Sequence, residues 1–176
     1  NRLKNKIKQN YDNIEIGQNI KAGFRTSVDG IKGAGHAAFD NSKTAALNGF
    51  STAADGLKLA GLMLEQEKDV YSKGCVILMH GYHSRAWFEF SGFYQYFFEN
   101  GYNILLPDQR AHGQSGGKYI TFGVKESWDC LEWARFIEDK YGGDISLHGI
   151  SMGGSTALLC GGLPLPGSVR GIIDDC

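Results

Sequence analysis

Three short apolar runs constrain this chain more than any other feature. "GCVILMHG" (residues 74–81), "YNILLPD" (102–108) and "DISLHG" (144–149) each break off into a polar or glycine-containing turn. Strands buried on both faces of a sheet read this way. Helix-length segments lie between them. "RAWFEFSGFYQYFFENG" (85–101) is aromatic-rich and closed by Asn100-Gly101, a helix C-cap pattern, so it predicts one helix. "GVKESWDCLEWARFIEDKYGG" (123–143) spaces Val124, Trp128, Leu131, Ala134, Ile137 and Tyr141 three or four apart, which predicts a helix with those residues on its apolar face. "SMGGSTALLCGG" and "VRGIIDDC" predict a further helix and strand. Ahead of them, "LNGFSTAADGLKLAGLMLE" (47–65) is two apolar stretches around Asp55-Gly56, a hairpin signal. Strands alternating with helices imply an α/β fold: a mostly parallel sheet with helices on both faces.

Domain organisation is simple. The 176 residues suit one ordinary domain, expected over 46–176. Residues 1–45 ("NRLKNKIKQNYDN", then a Gly/Ala-rich stretch) predict a helical lead-in lying over it, with His36 as a surface or capping side chain. Net charge is −1, so no strong field points to nucleic acid or an anionic membrane. No apolar run reaches the roughly 18 residues of a membrane span. Cys75, Cys130, Cys160 and Cys176 are widely separated, which reads as reduced thiols of a cytoplasmic protein. Gly116-Gly117-Lys118 lacks the remaining residues of a phosphate-binding loop, because His112 and Tyr119 stand where glycine and Ser/Thr are needed.

The chemistry lies where the buried strands end. Ser151 follows the third run and opens a helix, between Gly149 and Gly153. A strand that turns this sharply into a helix forces the serine into a strained conformation, and glycine two residues either side removes the clash. The serine hydroxyl is then exposed at the positive end of a helix dipole, with the Met152 amide aimed where an oxyanion would form. "HGY" (80–82) ends the first run and "LPDQRAHGQSGG" (106–117) ends the second.

With these three segments in this order, the chain resembles the α/β-hydrolases, most of all the soluble serine hydrolases that include esterases, acylglycerol lipases and serine aminopeptidases. The resemblance covers about residues 46–176. It implies Ser151 as nucleophile, the Tyr82 and Met152 amides as oxyanion hole, and His80 and Gly81 as shapers of the oxyanion loop. Asp108, Arg110 and His112 would organise the loop after the second run, in a structural role. A small-molecule acyl substrate is implied, an ester before an amide, with no metal or organic cofactor. Trp87 and Phe88, nearest the oxyanion loop, are candidate substrate contacts, whereas the remaining aromatics of 90–98 read as helix packing.

A reactive serine needs a histidine base oriented by a carboxylate. In this family both follow the serine along the chain. Here His36, His80, His83, His112 and His148 all precede Ser151, and Asp174 and Asp175 are the only later acids. His83 stands nearest the mouth of the expected site. His148 lies on the strand leading into Ser151 and is expected to point into the fold. His80-x-x-His83 has no third partner at metal-ligand spacing. Three readings follow: the chain is the front part of a longer hydrolase, another chain supplies the missing groups, or the protein is a catalytically inactive hydrolase-like binding or scaffold protein. If the sheet is truncated there, the last strand is an edge available for pairing.

Overall fold

The computed structural model describes residues 45–67 and 72–175. The expected lead-in, His36 and Cys176 lie outside them, apart from Ala45. A single six-stranded sheet organises the chain, in the order β1-β2-β4-β3-β5-β6. The strands are β1 (Ala45–Thr52), β2 (Lys58–Glu65), β3 (Cys75–Met79), β4 (Asn103–Pro107), β5 (Ile145–Ile150) and β6 (Val169–Asp175). β1 and β2 form the hairpin expected around Asp55-Gly56, in register from Thr52 opposite Lys58 to Ala45 opposite Glu65. Gly56 turns with φ +80°. β2 joins β4 antiparallel, and all further pairings, β4–β3, β3–β5 and β5–β6, are parallel. This is the α/β class expected from the alternation of strands and helices.

The central strands β2 to β5 bury both faces, as continuous hydrophobicity requires. In β3, Cys75, Ile77 and Met79 belong to one core and Val76 and Leu78 to the other. The first core packs under α3 (Glu126–Tyr141) and α4 (Met152–Gly161), through Leu131, Trp133, Ala134, Ile137, Ala157 and Cys160. The second packs under α1 (Ala86–Glu89) and α2 (Tyr94–Glu99), through Ala86, Phe90, Tyr94 and Phe98.

Two helical expectations need correction. Residues 85–101 form two short helices and not one. The chain turns between them at Ser91-Gly92, where Ser91 Oγ donates to the Phe88 carbonyl (3.0 Å). A hydroxyl that competes for helix carbonyls beside a glycine favours such a break. In the 123–143 segment the helix starts only at Glu126, and Val124 and Trp128 are exposed. Its buried residues are Glu126, Ser127, Asp129, Cys130, Leu131, Trp133, Ala134 and Ile137. The two acids can be buried because each has partners: Arg110 Nε and Nη2 both donate to Asp129 (2.6 Å each), and Glu126 is engaged from the preceding turn.

The sheet order places the site. β3 is followed in sequence by β4 on one side and flanked by β5 on the other. At such a switch point the loops leaving the carboxyl ends of two neighbouring parallel strands diverge and open a crevice. Here those loops are His80-Gly81-Tyr82 after β3 and Ser151 after β5.

Candidate active site

Ser151 stands between β5 and α4 with φ +54° and ψ −120°, and its residue surface is exposed. Its amide donates to the Asp175 carbonyl of β6 (2.8 Å). The flanking glycines are there for a steric reason. A Cβ on Gly149 would lie 2.0 Å from the Gly153 carbonyl oxygen, and one on Gly153 would lie 1.9 Å from that of Met79. No side chain fits at either position, so helix, β5 and β3 meet backbone to backbone. Met152, the first residue of α4, is buried.

Across from the serine, the β3 loop is pinned at two successive odd positions. The Gly81 amide donates to Glu89 Oε2 (2.7 Å) and the His83 amide to His112 Nε2 (3.2 Å). Tyr82 lies between them, and no hydrogen bond engages its amide among the described residues. A Cβ on Gly81 would stand 3.4 Å from Ser151 Cβ, so this loop touches the serine directly. His83 takes φ +56°, and its ring stacks on Tyr82 with centroids 3.9 Å apart.

Beneath the loop, His80 is fully buried. Its Nδ1 donates to the Gly81 carbonyl (2.7 Å) and its Nε2 accepts the Gln109 amide (3.0 Å), contacts that assign the neutral tautomer. Burial holds its pKa below the ordinary histidine value, which favours the same neutral form. The Gln109 side-chain amide donates back to the His80 carbonyl. Thr156 Oγ of α4 lies 2.9 Å from both Gln109 Oε1 and the Met152 carbonyl. One hydrogen-bonded chain thus runs from the end of β3 through the end of β4 to the helix carrying Ser151.

The loop after β4 is organised by the three residues expected there. Asp108 Oδ2 accepts the Gln114 amide (2.9 Å). Arg110 joins Asp129 and Asp55, whose hydrogen bonds raise its pKa further above the ordinary arginine value. The nitrogens of His112 meet the Arg110 carbonyl and the His83 amide.

Tyr82, Phe122, Ser151, Met152 and Ser155 line a cleft of about 450 Å³. Tyr82, Ser151 and Met152 are therefore brought together, with His80, Gly81, Gly149 and Gly153 as backbone support. Trp87 and Phe88 are not brought to the cleft: Trp87 packs on Tyr94 (5.0 Å) and Phe88 faces outward. Both nitrogens of His80 are spent on backbone partners, which removes it from any paired-histidine metal site. His148 points away from the serine, with its ring against Phe97 of α2 (4.9 Å) and Nε2 on Ser146 Oγ.

Sequence reasoning passed over Glu89, Gln109, Phe122, Glu126, Ser155 and Thr156. Only Glu126 left a legible trace. It stands three residues after Gly123 and accepts that residue's amide (2.9 Å), which is capping-box spacing without a Ser or Thr at the cap.

Residues 71–173 match the family model described as serine aminopeptidase, S33 (Hydrolase_4). The chain belongs to this family. Its fold is that of the α/β-hydrolases, as the structural neighbours also show. The Pyrococcus furiosus esterase Pf2001 superposes with a TM-score of 0.65 at 32% identity, over 80% of this chain and 53% of the esterase. The α/β-hydrolase GrgF from Penicillium sp. sh18 shares the fold with a TM-score of 0.63 at 20% identity, over 74% of this chain and 45% of GrgF. The uncharacterized protein YqkD of Bacillus subtilis (strain 168) is 39% identical over 82 residues, 46% of this chain and 27% of YqkD. The chain thus spans about half the length of the esterase and about a quarter of YqkD. Among the described residues, no helix is long and apolar enough to cross a membrane.

Proposed function

We propose that this chain is the nucleophile-bearing part of a serine hydrolase that cleaves carboxylic esters through an acyl-enzyme on Ser151. The observation that carries the reading is the pattern of amides in the β3 loop. Gly81 and His83 have their N–H groups taken by Glu89 and His112, and Tyr82 between them does not. With the Met152 amide at the head of α4, this makes two donors on either side of an exposed serine, at the end of a helix whose dipole favours negative charge. The esterase function of the Pf2001 relative supports an ester over an amide. The family's aminopeptidase name keeps amides as the second substrate class, and an aminoacyl anilide assayed beside an ester separates the two.

In this reading Ser151 Oγ attacks the substrate carbonyl as its proton passes to a histidine base. The Tyr82 and Met152 amides hold the resulting oxyanion. Collapse expels the alcohol, which takes the proton from the base, and water then releases the acid from Ser151 by the same steps. One oxyanion donor of this kind contributes about a hundredfold or more in rate. The family's order of serine, acid and then histidine puts the base and its carboxylate beyond Cys176 in this reading, and His80, His112 and His148 are each engaged by other partners.

The test is fluorophosphonate labelling and p-nitrophenyl acetate hydrolysis by the natural full-length protein, with Ser151→Ala beside it. A single adduct on Ser151, with labelling and hydrolysis both lost in the variant, is the expected result. An unlabelled Ser151 in the folded wild type overturns the reading in favour of a catalytically inactive, hydrolase-like binding protein.

A further inference from the structure

The turn before α3 holds a further strained residue beside the cleft, and the chemistry above gives it no task. Phe122 has φ +51°, a left-handed conformation that is an outlier for a bulky aromatic. The residue is 59% exposed, so burial does not account for its position. It lines the cleft with Ser151 and stands 5.1 Å from the Tyr82 ring.

The strain is held from both sides. Glu126 is fully buried and accepts three hydrogen bonds from the turn: the Thr121 amide (2.8 Å), Thr121 Oγ1 (2.6 Å) and the Gly123 amide (2.9 Å). Thr121 Oγ1 in turn accepts the Lys125 amide (2.8 Å). Gly123 is pressed on α4, where a Cβ would lie 3.0 Å from Leu159 Cδ1 and 3.3 Å from the Ser155 carbonyl carbon. Phe122 is therefore fixed between two anchored neighbours. Of the four non-glycine residues with positive φ among those described, His83, Phe122 and Ser151 all meet around this cleft. Backbone strain that the surroundings over-determine is concentrated where a protein needs a fixed surface.

We propose that Phe122 is a specificity-determining residue: with Tyr82 it forms the wall against which an apolar acyl chain of the substrate lies, and Glu126 is its positioning residue. This rests on the serine-hydrolase reading of Ser151. Among the described residues no charged side chain lines the cleft, and the Glu89 carboxylate beside Gly81 disfavours an anionic chain. A volume of about 450 Å³ admits an acyl group well beyond acetyl in size.

The experiment compares p-nitrophenyl octanoate with p-nitrophenyl acetate in the full-length wild type, Phe122→Gly and Phe122→Tyr. Phe122→Gly is expected to lower kcat/KM on the octanoate about tenfold more than on the acetate, with Phe122→Tyr keeping close to the wild-type ratio. Glycine tolerates positive φ, so the variant folds, and an unchanged octanoate-to-acetate ratio overturns the proposal. Binding of the intact p-nitrophenyl octanoate by calorimetry in a Ser151→Ala background decides independently of catalysis. Weakening of about tenfold on adding Phe122→Gly sustains the proposal, and equal affinity overturns it. Should Ser151→Ala leave hydrolysis intact, the serine-hydrolase reading falls, while the binding comparison still judges Phe122.

Discussion

Ser151 and Phe122 share a positive φ and reach it by opposite means. At Ser151 the left-handed turn is imposed by contact: β3, β5 and α4 come so close that Gly149 and Gly153 have no room for a Cβ. At Phe122 it is imposed by attraction, with one buried carboxylate gathering three donors from the turn. Steric enforcement is short-range and unforgiving, whereas a hydrogen-bonded clamp depends on the ionisation of one group. The first kind is written into residue types at fixed spacing. The second leaves almost no signature, because a glutamate that opens a helix looks the same whether it faces solvent or is buried.

The comparison breaks first, and most severely, at the glycines. Gly153→Ala drives a methyl into the Met79 carbonyl, a backbone atom that cannot swing aside. Overpacking of this kind costs about 3 kcal/mol or more. The expected outcome is a large fall in the urea midpoint or insoluble protein. Wild-type stability would show that α4 can shift away from β3, and the steric account of the elbow would be wrong.

Next is Glu126→Ala, which strands the Thr121 and Gly123 donors near a buried site and costs about 2–3 kcal/mol. Its pH dependence separates this clamp from the steric one. Burial alone would raise the Glu126 carboxyl, but the hydrogen bonds from Thr121 and Gly123 outweigh it and hold the pKa below the ordinary 4.5. A depressed folded-state value stabilises the protein above the unfolded pKa, and that contribution is lost as pH falls through the folded one. Wild-type stability is therefore expected to decline below about pH 4.5, and more steeply than that of Glu126→Ala. Parallel acid profiles would remove Glu126 as the clamp.

How far each region was legible follows from the same contrast. The hairpin at Asp55-Gly56, the buried strands and the Gly-x-Ser-x-Gly turn depend on local patterns, and the structure has them in those places. Residues 85–101 read as one helix from their length, aromatic density and Asn100-Gly101 cap, and the break comes from Ser91-Gly92, the pair at which the chain turns. The apolar face expected for α3 holds at Leu131, Ala134 and Ile137 but not at Val124 and Trp128, because the buried face includes Glu126 and Asp129. Their burial depends on Gly123 and Thr121 before the helix and on Arg110 from another loop. Periodicity treats a carboxylate as an outward-facing residue and has no means to register a distant partner. Gln109 and Thr156 were invisible for the same reason, since 47 positions separate the two ends of their contact.

A smaller effect is expected at Glu89, whose hold on the Gly81 amide is a clamp like that of Glu126, but on a half-buried residue. Glu89→Ala frees the loop that carries the Tyr82 amide. If that amide stabilises an oxyanion, kcat on p-nitrophenyl acetate falls about five- to tenfold, equivalent to roughly 1 kcal/mol, with KM little changed. Glu89→Gln keeps an acceptor and is expected to recover most of the loss. A KM effect without a kcat effect would place Glu89 in substrate binding instead.

The smallest effect is the stability of Phe122→Gly, and it sharpens the comparison most. Left-handed backbone costs an ordinary residue roughly 1–2 kcal/mol, which glycine recovers. Against this stand glycine's entropy loss on folding, about 0.5–1 kcal/mol, and the ring contact with Tyr82, about 0.5–1 kcal/mol. These terms nearly cancel, so the denaturation midpoint should barely move. A near-zero change means that the fold gains nothing from phenylalanine at this position, and that the clamp holds the ring for the cleft's sake. A loss of several kcal/mol would mean that Phe122 is a packing residue, and that its strain is a by-product of the contact with α4.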